Sequence, residues 1–193
     1  MNSSAVILAG GKSSRMGRDK AWLEVGGQSL LARQIGIVRE FGALEVFISG
    51  RANADYSGFG HRVLQDNFSG AGPLAGTERA LDAAQSPLLL VLAVDLPKMT
   101  TEFLQRLAAD CTDDFGAIPC VKENIEPLAA FYPKSAQSLA ETLLRAGENA
   151  VASFAKECVQ ARLARFVEMS ASEAKYFANW NFPADLALVT ANS

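Results

Sequence analysis

At 193 residues, 49% of them apolar and 20% charged, the chain can bury one sizeable core, and its composition excludes a disordered polymer. A net charge of −3 excludes the broad basic surface of a nucleic-acid or anionic-membrane binder, so neither partner is expected. The longest aliphatic run, 88–94, falls far short of the roughly 20 residues a membrane-spanning helix needs.

Strand-like and helix-like segments alternate along the chain. Residues 5–8 read as a short buried strand that empties into a glycine-rich loop. Residues 29–41 place Leu30, Leu31, Ile35, Val38 and Phe41 at helical spacing, and Gly42 supplies a stop. Strands are expected at 45–49 and 62–65. Gly72-Pro73 opens a helix running through Ala84, with proline in its first turn. Residues 88–94 are apolar on both faces, as a central parallel strand requires.

A helix follows over 101–109, with Thr100 or Thr101 as N-cap. Shorter strands are expected at 115–119 and 128–132, helices at 135–145 and 149–157, and a strand near 162–167. A terminal helix is expected after Pro183. This alternation predicts an α/β fold of three layers with a mostly parallel sheet, folded as a single domain over 1–193. In such sheets ligands sit beyond the carboxyl ends of the strands, where the opening loop, Asp66 and Asp95 all fall.

The three cysteines, Cys111, Cys120 and Cys158, are an odd count without close pairing, which predicts neither a disulfide framework nor a zinc knuckle. The first residues carry no basic segment, and the apolar run after them is too short for a signal peptide. A cytoplasmic location is expected.

The loop after the first strand carries the chemistry. In Leu8-Ala9-Gly10-Gly11-Lys12-Ser13-Ser14-Arg15-Met16-Gly17-Arg18-Asp19-Lys20, four cations gather around three glycines and two serines. Glycines let backbone N–H groups approach a ligand, and Lys and Arg add charge-assisted donors, a combination suited to a polyphosphate. The P-loop register fails, because Val6 stands where its first glycine belongs. Gly10, Gly11 and Gly17 do not fit the dinucleotide-binding spacing either.

The arrangement that matches is Leu-Ala-Gly-Gly-x-Ser-x-Arg-Met-Gly-x-Asp-Lys. It resembles the opening of the molybdenum cofactor guanylyltransferase family, which makes the guanine dinucleotide form of that cofactor. The Asp19-Lys20 ending favours the guanylyl branch over the cytidylyl one. Val63-Leu64-Gln65-Asp66 followed by Gly72-Pro73-Leu74-Ala75-Gly76 is similar to the family's second motif. Ala93-Val94-Asp95-Leu96-Pro97 is similar to its metal-binding aspartate turn. Glu126-Pro127-Leu128 resembles a segment near the acceptor, with Glu126 standing where Gln or Thr is common. Phe177-Ala178-Asn179-Trp180-Asn181-Phe182-Pro183 resembles the ending linked with the pterin, with Phe182 where Thr is common.

The resemblance implies a Rossmann-like, GT-A-like nucleotidyltransferase fold, with nucleotide bound by roughly the first 100 residues and acceptor by the remainder. It implies transfer of GMP from GTP to the terminal phosphate of molybdopterin, with Mg²⁺ as cofactor. Arg15, Lys20 and Asp95 are the expected catalytic residues, with Asp95 also the metal ligand. Leu8, Ala9, Gly10, Gly11, Ser13, Lys20, Asp66, Gly72 and Asp95 are expected at the nucleotide, and Asn179 and Asn181 at the acceptor.

Backbone N–H groups from Gly10 to Ser14 would form a nest for phosphate oxygens. Asp66 suits either guanine N–H groups or ribose hydroxyls. The family also implies transient contacts with cofactor-synthesis proteins or recipient molybdoenzymes. A cytidylyltransferase of the same cofactor, a guanylyltransferase of another phosphorylated acceptor, and a non-catalytic nucleotide-binding scaffold are the alternatives.

Overall fold

The computed structural model describes residues 2–10, 20–51 and 53–178. Its centre is an eight-stranded sheet built from β1 (Ser3–Leu8), β4 (Glu45–Ser49), β5 (Arg62–Leu64), β6 (Leu88–Ala93), β7 (Gly116–Val121), β8 (Asn124–Ile125), β9 (Ala129–Pro133) and β10 (Ala164–Glu168). A separate small hairpin pairs β2 (Glu24–Val25) with β3 (Gln28–Ser29) around Gly26 and Gly27, both at positive φ. The helices are α1 (Leu30–Phe41), α2 (Pro73–Ala83), α3 (Thr101–Ala108), α4 (Gln137–Arg145) and α5 (Val151–Gln160).

The strand order is β10-β7-β9-β6-β1-β4-β5, with β8 paired to β7. Pairings β1–β4, β1–β6, β4–β5 and β7–β10 are parallel, whereas β9 runs antiparallel to both β6 and β7. The chain runs outward from β1 to β4 and β5, then returns to the other side of β1 as β6. Strand order therefore reverses at β1, the place where open α/β sheets bind ligands.

Side-chain alternation explains why β1 and β6 are apolar throughout. Ala5, Ile7, Leu90 and Leu92 pack on one face with α1 and α3, through Leu31, Ile35, Phe103 and Leu107. Val6, Leu8, Leu89 and Val91 pack on the other with α2, α4 and α5, through Leu74, Leu81, Leu144 and Phe154. Covered on both sides, these strands have no polar face to present. The three-layer expectation holds.

Most element ends follow local chemistry. Ser29 caps α1, its Oγ accepting from Ala32 N at 3.2 Å, and Gly42 closes that helix at φ 98° in the left-handed region. Thr100 is the cap of α3. Several boundaries shift by one to three residues, among them the starts of α4 and α5. The segment expected as one helix from 135 begins as a 3-10 turn, Lys134–Ala136, before α4. The helix expected from 149 starts at Val151, because the Glu148 carboxylate accepts from Ala150 N at 2.9 Å and holds the approach in a turn. The terminal helix expected after Pro183 lies outside the described residues. Among the described residues no helix is long and apolar enough to cross a membrane.

Candidate functional site

The parallel register brings the strand ends together. Leu8 is level with Ser49 on one side and Ala93 on the other, and Ser49 is level with Leu64. The residues that follow these strands, Ala9-Gly10, Gly50-Arg51, Gln65-Asp66 and Val94-Asp95, therefore share one edge of the sheet, as the sequence predicts. The reversed β9 delivers its beginning to the same edge. Leu128 accepts from Ala93 N at 2.8 Å, so the 126–128 segment sits beside the end of β6.

Lys20 and Asp95 meet across this edge, 75 positions apart in sequence. Lys20 Nζ donates to Asp95 Oδ2 at 2.7 Å, and the two side chains keep 19% and 22% of their surface exposed. Lys20 opens a 3-10 turn, Lys20–Trp22, whose Ala21 is fully buried. Trp22 stacks on Tyr56 with ring centroids 6.0 Å apart and lies 5.2 Å from Phe59, which makes it rim packing beside the site. Tyr56 is itself buried, its hydroxyl accepting from Arg51 N at 3.2 Å. Gly50 leaves room for that ring, since a Cβ there would stand 2.2 Å from Tyr56 Cε2. The Lys20–Trp22 turn and the segment after β4 are thus joined by aromatic contacts.

Ser49 joins the remaining parts. Its carbonyl accepts from both Ala9 N (2.8 Å) and Gly10 N (3.1 Å). The N–H of Gly10 is spent on this bond, so a phosphate nest would draw its donors from later in the loop. The Leu8 carbonyl accepts from Val94 N at 3.2 Å, tying the two strand ends together. Ser49 Oγ donates to Asp66 Oδ1 at 3.5 Å, a long bond. Asp66 does not pair with its neighbour Asn67, which bonds instead to the buried Glu78 at 3.2 Å. Loss of water around the Asp66 carboxyl raises its pKa above the usual value, the Ser49 bond lowers it, and the Glu78 charge raises it further. Burial alone pushes Glu126 up as well.

Gly72 precedes α2 at φ 74°, ψ −154°, backbone that essentially only glycine adopts. Gly76, inside α2, is a packing glycine, because a Cβ would stand 2.3 Å from Ser49 Oγ and 3.0 Å from Leu8. Gly11, Ser13, Arg15, Asn179 and Asn181 lie outside the described residues. Ser49, Gly50 and Tyr56 organise this edge, and local sequence pattern did not single them out. Gly76 stood in the quoted motif, yet its packing reason needs the third dimension.

Among the described residues no group of three or more His, Cys, Asp or Glu is placed to hold a metal ion. A hard cation bound through one carboxylate and the oxygens of a phosphorylated substrate needs no such group. Asp95 fits that requirement, as an oxygen donor following the end of β6 with one oxygen on Lys20.

The chain matches the model of the MobA-like NTP transferase domain over residues 5–162. A protein of Opitutus terrae named probable molybdenum cofactor guanylyltransferase is 41% identical over 190 residues, covering 95% of this chain and 94% of that one. The solved structure of molybdopterin-guanine dinucleotide biosynthesis protein A from Archaeoglobus fulgidus is 22% identical with a TM-score of 0.74, covering 96% of each chain. That of 2-C-methyl-D-erythritol 4-phosphate cytidylyltransferase from Thermus thermophilus is 23% identical, also with a TM-score of 0.74, over 99% of this chain and 98% of that one. At such identities the two structures share the fold, and the nucleotidyltransferase architecture expected from the sequence is confirmed. By its match to the family model and to the Opitutus protein, the chain belongs to the MobA-like NTP transferase family.

Proposed function

We propose that this chain transfers GMP from GTP to the terminal phosphate of molybdopterin, forming the guanine dinucleotide cofactor and releasing pyrophosphate. Support for the guanylyl reaction comes from the 41% identity to a named molybdenum cofactor guanylyltransferase across nearly the whole chain. The observation that carries the chemistry is the Lys20–Asp95 pair, 2.7 Å apart at the sheet edge beside the point where strand order reverses.

In the transfer, an oxygen of the acceptor phosphate bonds to the α-phosphorus of GTP as the bond from that phosphorus to the β-bridging oxygen breaks. The electron pair of the broken bond leaves with pyrophosphate. The attacking group is already an anion, so the site needs no strong base; it needs positioning and neutralisation of charge building on phosphate oxygens. Lys20 supplies positive charge at the α-phosphate. Arg15 is assigned to the leaving pyrophosphate, with the backbone of the opening loop, Gly11 and Ser13 included, around the phosphates. Asp95 would hold Mg²⁺, which would supply positive charge to offset the negative charge building on the phosphate oxygens.

Asp66, anchored by Ser49, is the candidate for guanine or ribose, with Leu8, Ala9, Gly10 and Gly72 framing the nucleotide. Asn179 and Asn181 are the candidates for the acceptor.

Pyrophosphate release from GTP and from CTP, with molybdenum-loaded molybdopterin as acceptor and Mg²⁺ present, tests this reading. GTP is expected to be the substrate and omission of Mg²⁺ to abolish turnover. A preference for CTP refutes the guanylyl assignment. Full turnover in both Lys20→Ala and Asp95→Ala refutes the assignment of the chemistry to this pair.

A further inference from the structure

The turn that carries Asp95 is held from outside by α1. Gln34, one turn into that helix, is fully buried, and its Nε2 donates to the Leu96 carbonyl at 2.7 Å. Beside it, Arg33 Nε donates to the Pro97 carbonyl at 2.9 Å. The Leu96 carbonyl also accepts from Met99 N at 3.1 Å, which closes the turn on itself. The same helix governs Lys20: Leu30 N donates to Leu23 O at 2.8 Å, and Leu23 N to Lys20 O at 3.1 Å. The two opposite charges of the site are therefore referred to one rigid element.

Gln34 is a costly way to fill this position. Its Oε1 is the one buried side-chain nitrogen or oxygen without a hydrogen-bond partner among the described residues. A buried unpaired carbonyl opposes folding, and an apolar side chain of similar length would avoid that cost. What an apolar residue would lack is the N–H that meets Leu96.

We propose that Gln34 and Arg33 are positioning residues that fix the backbone following Asp95, and through it set the Asp95 carboxylate for the metal–nucleotide complex. This rests on the reading of Asp95 as the metal ligand. Groups that orient a metal ligand from behind typically change metal affinity or activity 10–100-fold when removed.

The test compares GTP binding with Mg²⁺ and with EDTA by calorimetry, alongside thermal unfolding, in the full chain. In Gln34→Met the Mg²⁺-dependent gain in GTP affinity is expected to fall about tenfold, with binding in EDTA unchanged. Arg33→Met is expected to shift the gain the same way. Arg33→Gln restores it, because glutamine Nε2 hangs from Cδ just as arginine Nε does.

If the variants unfold at lower temperature yet keep the full Mg²⁺ gain, their role is structural and the proposal is overturned. If Gln34→Met does not fold, the Arg33 pair decides, and equal gains in Arg33→Met and Arg33→Gln overturn the proposal. An unchanged Mg²⁺ gain in Asp95→Ala overturns the metal reading itself, and the positioning role with it. Loss of the gain in Asp95→Ala, with no effect at Gln34 or Arg33, overturns the positioning role alone.

Discussion

Replacing Lys20 with alanine separates what its ion pair does for folding from what its charge does for reaction. At 2.7 Å and an effective dielectric near 20, the pair's gross attraction to Asp95 is about 6 kcal/mol. Both side chains keep about a fifth of their surface in solvent (19% and 22%), so most of this is offset by desolvation and ordering, leaving about 1 kcal/mol or less. After truncation the Asp95 carboxylate can rehydrate. The expected loss of stability is therefore about 1 kcal/mol, a shift of roughly 2–4 °C in Tm.

The reaction loses more. A preorganised donor aimed at developing charge contributes about 2.7–4 kcal/mol, so pyrophosphate release is expected to fall about 10²–10³-fold in kcat/KM. Lys20→Arg should recover little, since a planar fork does not replace a compact ammonium. The assay is pyrophosphate release under Mg²⁺, with unfolding followed in parallel. A kcat/KM within tenfold of the parent, in a folded variant, would refute the assignment of Lys20.

Asp66→Asn carries a pH signature. Because the folded chain raises the Asp66 pKa, its proton is held more tightly in the folded than in the unfolded state. That contribution is fully present below the ordinary carboxyl value of 3.8 and is lost as pH rises through the folded pKa. The asparagine variant should gain stability over the parent as pH increases from 4 to 7.5, read as urea midpoints, and a pH-independent gap would contradict this. Gly50→Ala forces a Cβ to within 2.2 Å of the buried Tyr56 ring and is expected to cost about 1–3 kcal/mol, measured by thermal unfolding. Burial holds Cys111 and Cys158 at about 12, so at pH 8 roughly 10⁻⁴ of either is thiolate. Iodoacetamide should modify Cys120 first, with the other two reacting only after denaturant, as peptide mapping would show.

The parts of the fold legible in the sequence were those whose causes are local. Ser29, Gly42 and Thr100 end helices through bonds to residues three or four positions away, and β1 and β6 declare their burial by being apolar at every position. The hairpin of β2 and β3 was not anticipated, because two-residue strands leave no measurable alternation around Gly26 and Gly27. For the site, Lys20, Asp66 and Asp95 were legible as charged residues in motifs. The parts holding them were not. Ser49, Tyr56 and Gln34 act through contacts spanning up to 62 positions, and nothing in their immediate sequence distinguishes them from ordinary strand, loop and helix residues.

The direction of β9 shows how topology assembles the reaction edge. A parallel strand brings its end to the carboxyl edge, whereas an antiparallel one brings its beginning. Because β9 opposes β6, with Leu92 level with Ala129, the residues preceding it arrive beside Asp95, and the Ala93–Leu128 bond of 2.8 Å fastens them there. Run parallel, the same strand would place Pro133 at that edge and carry Glu126-Pro127-Leu128 to the opposite side of the sheet. The segment resembling the acceptor motif thus reaches the turn that carries Asp95 through one reversal of strand direction. A nucleotide held at β1, β4 and β5 and an acceptor entering from the β9 side would meet at the end of β6, where Lys20 and Asp95 face each other.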